Sequence, residues 1–219
     1  MSNENNMPYE GAGFLLSFKD QAILGKRIKK EKDLLSDPTA ELEYMGGRIE
    51  EVADKNAPSN TAHAELIEEL GADILDADWK DRAKIIHIFQ PFSKKSIWCF
   101  RLELNQAEYD RLIVAAQNLA TWPVTETRDF SKLTGRSEPA RKALARLALV
   151  PLANLANYVE SFANFPTQNG GNRMKDAKDF RVGHRLSGVD LLDTDIKVEH
   201  ALRGFNTLMF VNHISELLK

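Results

Sequence analysis

At 219 residues the chain is long enough to bury one sizeable core, and 43% hydrophobic with 28% charged residues excludes a disordered polymer. A formal net charge of -3 excludes a global electrostatic pull toward nucleic acid, and a single cysteine excludes both a disulfide framework and a multi-cysteine metal site. No apolar run approaches membrane-spanning length, and the polar opening Met1 to Asn6 lacks the apolar region of a signal peptide, so a cytoplasmic location without a membrane partner is expected.

In chain order, Gly13 to Phe18 reads as a strand, Lys19-Asp20 as a turn and Gln21 to Arg27 as a second strand, together a hairpin. Ile28 to Ala40 is a long polar loop, after which Leu42 to Met45 reads as a strand delivering Gly46-Gly47. Pro58-Ser59-Asn60-Thr61 opens a helix, with Ser59 or Asn60 as its cap, and Gly71 ends it. Lys84 to Phe89 and Ser96 to Leu104 are β-branched and aromatic enough for two strands, joined by a turn at Pro91 and Ser93 to Lys95. Cys99 lies in the apolar run Ile97 to Phe100, which predicts a buried structural thiol. Gln106 to Ala120 has helical periodicity, and Arg146 to Glu160 reads as a short strand passing into a helix. Asn169 to Asn172 is a break, and Ile196 to Leu218 is expected to be a final helix with Gly204 in its middle.

The chemistry concentrates on the helix before Gly71. Glu65, Glu68 and Glu69 stand at i, i+3 and i+4, which puts three carboxylates on one helical face. Like charges crowded in this way repel, so the face is suited to holding a cation. Leu66, Ile67 and Leu70 supply the opposite, core-facing side.

This stretch resembles the Nudix box, which runs Gly, five residues, Glu, seven residues, then Arg-Glu-apolar-any-Glu-Glu-any-Gly-apolar. Glu65, Leu66, Glu68, Glu69, Gly71 and Ala72 match its second half, and Gly47 its opening glycine. Three departures stand beside the match: Ala64 occupies the arginine position, Ala53 falls at the first glutamate beside Asp54, and Gly47 to Gly71 is three residues longer than the consensus. The order of strands around the box is similar too, so the resemblance runs from about Gly11 to Phe162.

The resemblance implies an α/β fold, a Nudix-type mixed-sheet α/β/α sandwich over residues 1–165; residues 166–219 match nothing in it and are expected, from the sequence itself, to be an extended C-terminal helical segment packed on the same domain. It implies divalent-metal-dependent hydrolysis of the diphosphate linkage in a nucleoside diphosphate derivative: a nucleotide, nucleotide sugar, dinucleoside polyphosphate or RNA cap. Mg²⁺ or Mn²⁺ would be the cofactor, held by Glu65, Glu68, Glu69 and Gly47. Glu65 would alternatively position the attacking water, Arg48 would contact phosphate, and Glu50 would be a water-mediated metal partner or orient the loop. Homodimers are frequent in such a family. In the family the box arginine pairs with the box glutamates. Ala64 cannot, His63 lies roughly 100° round the helix, and Arg48 or a distant basic residue is left to supply the charge. The competing expectation is a fold that has lost turnover and binds RNA, a nucleotide or a protein partner.

Other candidates are weaker. Lys26, Arg27, Lys29, Lys30 and Lys32 form a basic run, either solvated surface or a grip on the phosphates of a large substrate such as capped RNA. Arg173, Lys175, Lys178, Arg181, His184 and Arg185 form another. The five histidines have no metal-ligand spacing, and Trp79, Trp98 and Trp122 read as packing residues. With neither a Walker lysine motif nor a dinucleotide glycine fingerprint, kinase and dehydrogenase readings have no support.

Overall fold

A computed structural model describes residues 9–28, 41–48, 57–89 and 96–211. The early strands are β1 (Tyr9–Phe18), β2 (Gln21–Arg27), β3 (Glu41–Glu43) and β4 (Met45–Arg48). Next come helices α1 (Pro58–Leu70) and α2 (Trp79–Arg82), strands β5 (Lys84–Phe89) and β6 (Ser96–Glu103), and helix α3 (Gln106–Thr121). A short strand β7 (Thr127–Arg128), helix α4 (Ser131–Thr134) and strand β8 (Ala140–Arg141) precede β9 (Leu144–Pro151). The chain closes with α5 (Leu152–Ala163), α6 (Arg173–Gly183), β10 (Leu186–Asp190), β11 (Lys197–Leu202) and α7 (Gly204–Val211). The protein is thus mixed α/β and forms two compact units, residues 1–18 with 44–144 and residues 19–43 with 145–219. The expected division at 165/166 falls inside the second unit.

In the first unit β1 is the hub. It pairs antiparallel with β4, in a register that sets Gly13 opposite Gly46, and parallel with β6, with Phe14 opposite Phe100. Strand β5 then pairs antiparallel with β6 and sets Ile86 opposite Cys99. Helix α1 packs on β1 and β4. Phe14, Trp79 and Phe100 form an aromatic core, with ring centroids 5.1 Å apart for Phe14–Trp79 and 5.8 Å for Phe14–Phe100. Each such buried ring contributes about 1.5–3 kcal/mol relative to exposure. Cys99 is fully buried, and burial pushes its thiol up to about 12, so it is a core residue and no nucleophile.

The second unit is built on a closed, barrel-like ring of five strands in the order β2, β3, β11, β10, β9 and back to β2. Helix α5 packs on β2 and α7, and α6 on α7. Tyr158, Phe162 and Phe165 each meet Phe180 edge-on, at centroid distances of 5.1 to 5.3 Å.

The tail corrects the sequence reading. The expected helix from Ile196 is instead β11 followed by α7, and residues 212–219 lie outside the described part. Val198 and His200 are buried while Lys197 and Glu199 are exposed, a two-residue period that belongs to a strand. Gly204 opens α7 instead of interrupting a helix. The C-terminal segment is therefore not a helical extension, since it also contributes two strands to the ring.

Candidate functional site

Helix α1 begins differently from expectation. Pro58 is its first residue, following Ala57, and no side chain caps it; Ser59 and Asn60 lie within the first turn. Proline suits that place because its fixed φ is already helical and its missing N–H has no helical partner there. Ala62, Leu66, Ile67 and Leu70 bury one side of the helix. Gly71, with φ of 73°, closes it by donating its N–H to the Ile67 carbonyl at 2.7 Å.

Glu65, Glu68 and Glu69 are drawn to one place, as the spacing predicts. All three line an open cleft of about 630 Å³. Glu65 and Glu69 are mostly buried, at 8% and 7% exposure. Gly47 in β4 lies directly against the Glu65 carboxylate, and a Cβ built at that position would overlap it. Here glycine is needed for close approach, so Gly47 shapes the site through what it lacks. The backbone of Arg48 pairs with Gly11 in the β1–β4 ladder, but its side chain lies outside the described structure, as do Glu50, Ala53 and Asp54.

A residue that sequence reasoning did not name completes the carboxylate face. Arg136 Nη1 donates to Glu65 Oε1 at 2.8 Å and to Glu68 Oε2 at 3.0 Å, and Arg136 is itself only 3% exposed. Its position follows from the local chain. Helix α4 ends at Gly135, whose φ of 73° reverses the backbone, and the Arg136 N–H then bonds Thr134 Oγ1 at 3.2 Å. A guanidinium thus reaches the face on which Ala64, buried and apolar, offers no charge.

The other wall of the cleft comes from the segment around β7 and β8, which pair with Thr127 opposite Arg141. Thr127, Glu138, Ala140 and the exposed Arg141 line it. Trp122 anchors this wall. The indole is buried, meets Phe130 edge-on at 5.9 Å, donates from Nε1 to the Glu126 carbonyl at 3.1 Å, and lies under the Arg128 guanidinium at 4.7 Å. Trp122 is a packing residue, as expected.

A second acidic cluster in the same unit escaped the sequence reading. Ligand oxygens of Asp76, Asp78 and Glu108 lie within 4.8 Å of one another, close enough to hold a metal ion. Each is already answered, however. Arg111 Nη2 donates to Asp76 at 2.6 Å, Asn105 Nδ2 to Asp76 at 2.7 Å and Arg82 Nε to Asp78 at 3.2 Å, while Arg82 Nη2 also bonds Glu108. Glu108 accepts the backbone N–H of Asn105 at 3.0 Å and of Asp76 at 2.9 Å, within a reciprocal capping box at the start of α3. The Asn105 amide and the Arg111 guanidinium hold the Asp76 carboxyl below its ordinary value.

The remaining candidates are tied into structure. His63 bonds Asp73 at 2.9 Å and packs 5.4 Å from Trp79. Burial raises the Asp73 carboxyl, but the hydrogen bond and charge of His63 outweigh it and leave the group below its ordinary value. In the second unit Arg27 and Arg203 both bond Glu43, at 3.1 and 2.6 Å, and Arg181 pairs with Glu41. Arg173 bonds the Phe162 carbonyl at 3.1 Å and lies 4.3 Å over that ring. Lys29, Lys30 and Lys32 lie outside the described residues.

The chain is therefore a mixed α/β protein with a carboxylate-lined cleft beside a glycine strand. No protein-family model matches it, and neither does any curated protein. Among solved structures it is similar to the solution structure of the E. coli ORF135 protein, at 14% identity and a TM-score of 0.37, covering 78% of this chain and 99% of that one. That likeness is too distant to define the fold. Among the described residues no helix is long and apolar enough to cross a membrane.

Proposed function

We propose that the protein is a divalent-metal-dependent hydrolase of diphosphate linkages, of Nudix type over residues 1–165, with a nucleoside diphosphate derivative as its substrate. The observation carrying this reading is that Glu65, Glu68 and Glu69 line one cleft, with the Glu65 carboxylate against the backbone of Gly47. The donor set fits Mg²⁺ or Mn²⁺, because carboxylate oxygens are hard ligands and an open cleft leaves room for the waters such ions keep. When bound, the ion supplies charge neutralisation at adjacent phosphates and lowers the pKa of a water.

The protein's own groups do the rest. Glu65, Glu68 and Glu69 would hold the cation from a helix, where it would supply positive charge to a diphosphate. Arg141, on the wall formed by β7 and β8, offers positive charge to the phosphate oxygens, and Thr127 a hydroxyl. Incubating the protein with Mg²⁺ or Mn²⁺ against nucleotides, nucleotide sugars, dinucleoside polyphosphates and capped RNA tests the proposal. Metal-dependent release of a phosphorylated product is expected; no release from any of them sinks it.

A second reading, a binding module without turnover, draws on Arg136. A guanidinium bridging Glu65 and Glu68 already answers part of their charge without a metal. Capture of an intact nucleotide or RNA with no product formed supports that alternative.

A further inference from the structure

The turn between α5 and α6 carries a chemistry that the cleft does not use. Asn169 is the only asparagine in the sequence followed directly by a glycine, Gly170. A side-chain amide and the next backbone nitrogen react most readily at such a pair, because glycine has no side chain to shield that nitrogen. The segment is a tight turn in which the Asn172 N–H bonds the Asn169 carbonyl at 3.0 Å, with φ of 59° at Gly170 and 86° at Gly171. Gly170 is exposed, and a Cβ built there would meet no atom within 4 Å, so that side of the turn is open.

Asn169 itself is held. Its Nδ2 donates to Asp176 Oδ1 at 2.7 Å and to Asp179 Oδ2 at 2.9 Å, which ties the turn to the start of α6. Two carboxylate acceptors also decide which amide atom is the nitrogen. Asp176 is fully buried, and the Asn169 amide foremost, with the Gln168 N–H and Arg173, holds its carboxyl below the ordinary value. Helix α6 in turn packs on β11 and α7.

We propose that Asn169 is a modification site, where deamidation turns the amide that ties down α6 into a carboxylate that repels it. The reaction needs only water. Having lost its proton to hydroxide, the Gly170 nitrogen bonds Asn169 Cγ, the Cγ–Nδ2 bond breaks and ammonia leaves. Water then adds to either carbonyl of the cyclic imide and opens it, giving aspartate or isoaspartate at position 169. Both donor bonds vanish, and a third carboxylate stands beside Asp176 and Asp179, where like charges repel. The same two bonds slow the reaction, since an amide anchored at Nδ2 does not turn freely toward the Gly170 nitrogen.

The test ages the full chain at mildly alkaline pH, folded and in urea, and follows the Asn169 peptide by mass spectrometry. One hydrogen bond to a charged group corresponds to about tenfold or more, so the folded protein should convert at least about tenfold more slowly than the unfolded chain. Asp179→Ala, which removes the more exposed bond, should narrow that gap with the fold retained by circular dichroism. Asn169→Asp, the direct product, should melt at least about 3 °C below wild type. Asn169 left unconverted in the folded protein, conversion as fast folded as unfolded, or Asn169→Asp as stable as wild type overturns the proposal. Should a variant fail to fold, aged wild type decides: the converted fraction, separated by its added charge, melts lower if the proposal holds and unchanged if it does not.

Discussion

Among the described residues of the first unit, two groups of acidic side chains are solved differently. Around Asp76, Asp78 and Glu108 the negative charges meet Arg82, Arg111, Asn105 and two backbone N–H groups, and Glu108 is fully buried. That network pins the start of α3 to the segment that follows α1. Along α1, Arg136 bridges two glutamates, yet Glu65, Glu68, Glu69 and Glu138 all line one open cleft. Proximity of carboxylates alone would have favoured the first group as the metal site. What separates them is where the oxygens lead: into a closed set of donors, or into space a ligand can occupy.

That contrast can be broken from either side. Glu108→Ala has the largest expected effect, a loss of about 3 kcal/mol in chemical denaturation. This is the low end for breaking a buried charge pair, because the Arg82 side chain is 28% exposed. Activity per folded molecule should be unchanged; if it vanishes with the fold intact, the network is functional after all. Gly47→Ala tests the other group. The new methyl overlaps the Glu65 carboxylate, which must swing aside at the end of a flexible side chain, so a small change in stability is expected together with weakened Mn²⁺ binding. Unaltered metal affinity in that variant would remove Gly47 from the site.

The smallest effect is one of pH. The Asp76 carboxyl is held below its ordinary value of 3.8, so its contribution to stability is present above that value and disappears as the pH falls through the depressed one. Asp76→Asn should therefore flatten the acid limb of the stability–pH curve and leave the pH dependence of turnover alone. A shifted activity profile would join the two groups into one site.

How much was legible depended on how local the cause was. Strands Gln21–Arg27 and Lys84–Phe89 fall at their expected boundaries because alternation and flanking turns lie within the segments themselves. The same holds for the helix end at Gly71 and for the carboxylate face, which needs only helical spacing. Arg136 was illegible because its partners lie 71 and 68 residues away, and nothing in Leu133 to Arg136 carries a period. The capping box of α3 was missed although Asn105 and Glu108 have the required spacing, a signal that was available. Strand β11 was read as part of a helix because a six-residue run is short for a period to declare itself, and pairing with both β10 and β3 makes it a strand.

The central claim is that the α1 carboxylates serve a metal-dependent hydrolysis. It is tested most directly by measuring Mn²⁺-dependent product release from a panel of nucleoside diphosphate derivatives, for wild type and for Glu68→Gln combined with Glu69→Gln. The account predicts release by the wild type that stops when metal is chelated, and loss of at least about 100-fold in the folded double variant, beyond what groups behind the ligands usually cause. Equal release by both proteins, or none by the wild type, would contradict it.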